Sequence, residues 1–390
     1  MATLLILVIY LAYISLGIPD SLLGAAWPAM YLDLGVPLSA ATCVSILCSG
    51  GTVISSLISA RFIGCFGTGK VTAICTVLTA AALFGFSAAP NFLWLCLCAI
   101  PLGFGGGSID VGLNNFVALH YGPKTMSFLH CFYGVGVSLS PYLMSLALSD
   151  DLNWHRGYRT MFFFQAAIAL ICICALPLWK KQKEAAAETE EAIEAPSLIS
   201  QLKDRYIRMS CFVFIGSCAI ESICLLWGST FLVNAKRLTA DHAAGLITFY
   251  FVGMTLGRFL SGVLASKIKA FKIMLLGQII TLIAIILIIL PLPAYGSVFA
   301  LFLVGLGNGP VYPNMSYLTP HVFGRNLSQA IIGTQMAFSY IGILVAPLLF
   351  GLIAEHISIW LFGPSLLVMY LLMMRGTLVY MKKLPKYEQS

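Results

Sequence analysis

The sequence predicts an all-α membrane protein, with twelve transmembrane helices forming two six-helix bundles. Three observations carry that prediction. Of 390 residues, 59% are hydrophobic and only 9% charged, at a mean hydropathy of +0.94, whereas a soluble domain carries about a quarter charged residues. Apolar runs of about 20 residues, the length that spans the hydrocarbon core of a bilayer, recur from end to end. Features of the first half also return in the second at a nearly constant offset.

In order, the first six runs fall at about 2–30, 38–61, 68–88, 91–121, 124–150 and 158–179. After a polar stretch come runs at about 208–233, 239–266, 270–291, 294–321, 326–354 and 357–381. Gly and Pro inside them are tolerated in lipid where neighbouring helices satisfy the freed backbone groups. No basic region precedes the first run and hydrophobic chain follows it, so it reads as a retained helix rather than a signal peptide. The expected organisation is a first bundle over 1–179, a cytoplasmic linker over 180–207 and a second bundle over 208–390. The linker's acidic part, EAAAETEEAIEA, reads as a solvated tether. Leu198, Ile199, Leu202 and Ile207 among polar neighbours suit a short interfacial helix.

With the N-terminus inside, the even-numbered loops, their flanks and the tail collect 17 Lys and Arg residues, against 4 in the odd-numbered ones. The positive-inside rule then puts both termini in the cytoplasm. The net charge of +7 is not gathered into one patch, which excludes a nucleic-acid partner. The 12 cysteines sit in apolar runs, one residue apart at Cys96/Cys98 and Cys172/Cys174, without metal or redox spacing. They read as small buried hydrophobes, and no metal or other cofactor is expected. HExxH and GxSxG are absent. The near match to a phosphate loop, Gly64 to Val71, has Val71 where a hydroxyl belongs and no strand before it. An enzyme is not expected.

The repeat pairs Asp20 with Glu221, each followed by a tryptophan, Trp27 and Trp227. LHYGPK matches PHVFGR, and GVSLSP (Gly136 to Pro141) matches GILVAP (Gly342 to Pro347). Six plus six helices related by an axis along the membrane normal is the arrangement of major facilitator transporters, with a site near the bilayer midplane.

Charge at bilayer depth costs at least about 2.5–3.5 kcal/mol, so it faces a cavity or a partner. Asp20, Asp110, Glu221 and Arg258 stand inside spans. Asp110 follows Gly103, Gly105, Gly106 and Gly107, which allow close helix approach, and Asn114 lies one turn on along the same face. A carboxyl removed from water holds its proton more readily, so Asp110 is the first candidate for proton coupling. Asp20 and Glu221 are further candidates, for protons or substrate hydroxyls. His130 can relay a proton or bind a hydroxyl. Arg258 reads as a gating ion pair or as a side chain snorkelling at a helix end.

Sugars present hydroxyl arrays and apolar C–H faces, held by amides and an aromatic plate. The candidate amides are Asn114, Asn115, Gln165, Gln278, Asn314 and Gln335; the candidate plates are Trp27, Trp227, Tyr312 and Tyr340. Each has an alternative role in helix packing or interface anchoring. As a set they favour a small neutral polar solute.

At these residues the chain resembles the fucose/glucose–proton symporter family of the major facilitator superfamily. That family has an acid in helix 4 with an asparagine four residues later, matched by Asp110 and Asn114. It carries a polar side chain in helix 5, where His130 stands in FLHCFYGVGVSLSP, and VGMTLGRF resembles its helix 8. In three places the chain departs from the family. Gly24 replaces the helix 1 carboxylate of fucose carriers, the helix 4 acid is Asp rather than Glu, and Asn115 replaces a proline. The resemblance implies proton-coupled uptake of a monosaccharide, such as a hexose, by alternating access. It further implies a monomer in the lipid bilayer of a bacterial inner membrane. The rival expectation is an exporter of amphiphilic or drug-like solutes of the same superfamily, which the 12% aromatic content permits.

Overall fold

A computed structural model of the protein describes residues 2–121, 123–149, 153–179, 198–265 and 267–384. Among them, 12 helices are long and apolar enough to cross a membrane, and none of the residues forms a strand. The first six are α1 (Ala2–Asp33), α2 (Ala41–Phe66), α3 (Thr68–Ser87), α4 (Phe92–His120), α5 (Pro123–Ser149) and α6 (Trp154–Cys174). The second six are α7 (Arg205–Asn234), α8 (Ala240–Leu264), α9 (Ala270–Ile289), α10 (Ala294–Asn308 and Val311–Phe323), α11 (Arg325–His356) and α12 (Phe362–Tyr380).

Several boundaries depart from those the sequence predicts. Helix α6 starts early because the Asn153 side chain accepts the Arg156 N–H at 3.0 Å. It ends early because Pro177 has no N–H to continue the ladder, leaving only the short turn Leu176–Trp179 beyond it. Helix α7 starts at Arg205 because Asp204 accepts the Tyr206 N–H at 2.7 Å. Ile207 therefore belongs to α7, not to an interfacial helix, and is buried against Cys211 and Ile331. The interfacial helix shrinks to one turn, Leu198–Gln201, and the acidic tether lies outside the described residues. Helix α10 breaks at Pro310, again for want of a donor.

The contacts divide the chain into two compact units, Met1–Glu188 with Arg237–Thr248, and Thr189–Lys236 with Phe249–Ser390. In the first unit α1 packs on α5 and α6, α2 on α4, and α3 on α4 and α6. In the second, α7 packs on α11 and α12, and α9 on α10 and α12.

Backbones meet where side chains are missing. A Cβ added at Gly103 of α4 would lie 1.7 Å from the Cys48 carbonyl oxygen of α2, and one at Gly107 2.5 Å from that of Thr52. The same contact recurs 202 residues on, where Gly305 and Gly309 of α10 meet the carbonyls of Tyr250 and Met254 of α8. Lipid supplies no hydrophobic drive between helices, so such close approach is what holds them together.

Candidate functional site

In the first unit the glycine contacts bring α4 close against its neighbours and place Asp110 beside α1. There the buried Tyr13 donates its hydroxyl to Asp110 Oδ1 at 3.0 Å. Asn114, one turn along α4, donates its Nδ2 to the same oxygen at 2.8 Å. Oδ2 has no hydrogen-bond partner among the described residues, and the Asp110 side chain is half-buried rather than sealed. Among the described residues no Lys or Arg pairs with it. The His130 ring of α5 stands edge-on to Tyr13, with centroids 5.9 Å apart and an interplanar angle of 88°. Asp110, Asn114, His130 and Tyr13 thus form one cluster from α1, α4 and α5.

Asp20 lies two turns beyond Tyr13 on α1. It is exposed, and Tyr133 of α5 donates its hydroxyl to Asp20 Oδ2 at 2.6 Å. Sequence reasoning misses both tyrosines, although a signal exists for each. Tyr13 precedes Asp20 by seven residues and Tyr133 follows His130 by three, spacings that share a helix face.

The second unit is built differently at the equivalent positions. Tyr312 stands 202 residues after Asp110 and makes an edge-to-face contact, centroids 5.0 Å apart, with Phe214. Phe214 falls 201 residues after Tyr13, so an aromatic pair replaces the hydrogen-bonded acid. Tyr312 is half-buried and leans on Phe214. Arg258 does not snorkel; its guanidinium reaches Glu221 Oε1 and Oε2 at 3.2 and 3.3 Å.

Several expected binding residues bond neighbouring helices in this structure. Trp27 and Trp227 are fully buried, their indole N–H groups donated to the carbonyls of Leu38 and Pro347 at 2.8 and 2.9 Å. Neither offers a face to a solute. Gln165 is buried and donates to Thr79 across α6 and α3 at 2.7 Å. Gln335 donates to Ser210 at 2.9 Å and accepts from Thr319 at 3.0 Å. Gln278 bonds Thr377 and Asn314 bonds Ser261. These amides tie helices together through their N–H donors, while the buried Oε1 atoms of Gln165 and Gln278 have no hydrogen-bond partner among the described residues. The Asn115 side chain lies outside the described residues.

The sequence profile of the Major Facilitator Superfamily matches residues 9–347 and, in a second alignment, 214–388. The chain belongs to the Major Facilitator Superfamily. Members of this superfamily are transporters, not enzymes, and the twelve spans make this one a multi-pass membrane protein. "Bypass of stop codon protein 6" of Saccharomyces cerevisiae is 23% identical over 389 residues, covering 89% of this chain and 76% of that protein. The glucose/mannose transporter GlcP of Bacillus subtilis is 21% identical over 253 residues, covering 62% of this chain and 60% of that protein. Two superfamily crystal structures share the fold. The D-xylose–proton symporter has a TM-score of 0.76 at 14% identity, covering 100% of this chain and 99% of that one. A point mutant of the nucleoside transporter NupG has a TM-score of 0.77 at 14% identity, covering 97% and 99%.

Proposed function

We propose that this transporter imports a monosaccharide, such as a hexose, together with a proton, and that Asp110 is the coupling acid. One observation carries the reading: both donors to Asp110 converge on Oδ1, which leaves Oδ2 as the oxygen that gains and loses a proton. Tyr13 and Asn114 hold the carboxyl in place in either state. Protonation removes a charge from the site, and a neutral site meets no electrostatic penalty when it closes around an uncharged solute. Release of proton and solute on the other side resets the carrier. The membrane potential contributes about 2.3 kcal/mol per charge per 100 mV. The sugar assignment draws support from the similarity to GlcP, a glucose/mannose transporter, and to the D-xylose–proton symporter. We place the carrier as a monomer in a bacterial inner membrane with both termini cytoplasmic, on the asymmetry of Lys and Arg.

The test is transport by purified protein in proteoliposomes carrying an inward proton gradient. The wild type accumulates a monosaccharide; Asp110→Asn does not, yet still exchanges labelled for unlabelled sugar at equal pH. Undiminished accumulation by Asp110→Asn removes the residue from coupling. Flux of hydrophobic cations without competition by sugars supports the rival exporter reading.

A further inference from the structure

Two buried polar knots, one in each unit, leave part of their hydrogen-bonding capacity open. In the first, Gln165 of α6 donates its Nε2 to Thr79 Oγ1 of α3 at 2.7 Å, and Thr79 gives its own hydrogen to the Thr76 carbonyl at 2.9 Å. In the second, Gln278 of α9 donates to Thr377 Oγ1 of α12 at 2.8 Å, and Thr377 gives its hydrogen to the Met373 carbonyl at 3.1 Å. The chain of bonds is the same, with the glutamine moved from the later helix of the pair to the earlier one. All four side chains are buried, both glutamines completely, at 0% exposed. Each glutamine Oε1 has no hydrogen-bond partner among the described residues. A reversed amide would bring its oxygen to a threonine that has already given its hydrogen to its own helix, and so would meet no donor there either. Each threonine oxygen accepts from one amide and keeps a second lone pair.

We propose that each knot binds a buried water molecule, which donates one hydrogen to the glutamine Oε1 and the other to the open lone pair of the threonine. The open positions are both uncharged acceptors, so the occupant they fit is a small neutral donor of two hydrogens. Water is that molecule, and two such partners meet the minimum that holds one inside a protein. Complete burial of both glutamines keeps a lipid headgroup from filling the role. Depth supplies the need. Thr79 is the twelfth of 20 residues in α3 and Gln165 the twelfth of 21 in α6. Both therefore lie near the bilayer midplane, where an unpaired oxygen finds no solvent and is expensive. Small side chains leave room beside the first knot: Ala80, Ala166 and Ala169 line a groove of about 310 Å³ between α3 and α6. Each water pins the two helices of its pair together within one unit. The site stands apart from the assignment of Asp110 and from the identity of the solute.

The experiment is X-ray radiolysis of the purified full chain, which makes hydroxyl radicals from water where it sits, followed by mass spectrometry of oxidised methionines. Met161 lies one turn from Gln165, Met274 lies one turn from Gln278, and Met373 supplies the carbonyl of the second knot. All three are as deeply buried as Met30 of α1 and Met254 of α8, which serve as controls. Expected are oxidation rates at Met161, Met274 and Met373 at least about fivefold above those at Met30 and Met254. Gln165→Leu should remove the excess at Met161 alone, and Gln278→Leu the excess at Met274 and Met373 alone. The unit left unchanged in each variant reports that the protein is folded. Equal rates at all of these methionines in the wild type overturn the proposal, and so does an excess that survives both substitutions. A variant that misfolds raises every rate alike, and the wild-type contrast then decides.

Discussion

Arg258 of α8 reaches both carboxylate oxygens of Glu221 on α7, at 3.2 and 3.3 Å, with the two side chains only 14% and 22% exposed. Glu221 and Asp20 are matched acids in the repeat, yet one meets a guanidinium and the other accepts from a phenol. The second unit thus neutralises its acid with a cation of its own, while Asp20 stands exposed at the equivalent place in the first.

Removing one partner of such a pair strands the other charge in a poorly solvated place. Glu221→Met should lower stability by about 3 kcal/mol, and Glu221→Met with Arg258→Met should recover most of that loss. Thermal unfolding in detergent, read as a double-mutant cycle, measures it. A coupling energy near zero would mean that water screens the pair.

Adjacent glycines on α2 have opposite expectations. A Cβ at Gly51 would lie 2.6 Å from the Ile100 carbonyl oxygen, whereas one at Gly50 meets nothing within 4 Å. Gly51→Ala should push α2 off α4 and cost about 1–3 kcal/mol. Gly50→Ala should stabilise by about 0.5–1 kcal/mol through helix propensity alone. Equal melting temperatures for the two variants would refute the packing of α2 on α4.

At the start of α7, partial burial tends to raise the affinity of Asp204 for its proton. The hydrogen bond from Lys383 at 3.0 Å and the Tyr206 and Ile207 N–H groups outweigh that, holding the carboxyl below its usual range. A carboxyl depressed on folding contributes stability that is present above its unfolded value, about 3.9, and lost as pH falls through its folded value. Asp204→Ala should cost about 1 kcal/mol at pH 7, with the gap to wild type closing as the pH drops below about 4. A gap that stays constant into acid would show that the capping geometry, not the charge, matters. Asp204 and Lys383 are each about a third exposed, 35% and 33%, so screening keeps the electrostatic part small.

Much of the fold is legible in the sequence because its signals are local. The Gly103–Gly107 cluster announces a tight helix contact, and Asp110 with Asn114 on one face announces a polar site. The partners of the amides and tryptophans are not legible, because composition does not say which way a side chain turns. Gln165 and Gln335 resemble sugar ligands in a sequence, and their bonds to the hydroxyls of Thr79, Ser210 and Thr319 across the helix boundary appear only in the structure. Trp227 is legible as a large aromatic, but its burial against the Pro347 carbonyl is not. Helix α7 begins three residues before the predicted start because the capping signal at Asp204 sits inside a polar stretch that reads as linker.

By itself the sequence determined the number of spans, their order, the twofold repeat and the one acid set among glycines. Each follows from a helix satisfying its own backbone in lipid, a condition met within 20 or so neighbouring residues. Tertiary structure alone decided that Tyr13 meets Asp110 across 97 residues, Tyr133 meets Asp20 across 113, and Arg258 meets Glu221 across 37. Lateral pairing depends on which helix faces fit at close range, and hydropathy, being nearly uniform around these helices, carries no record of it.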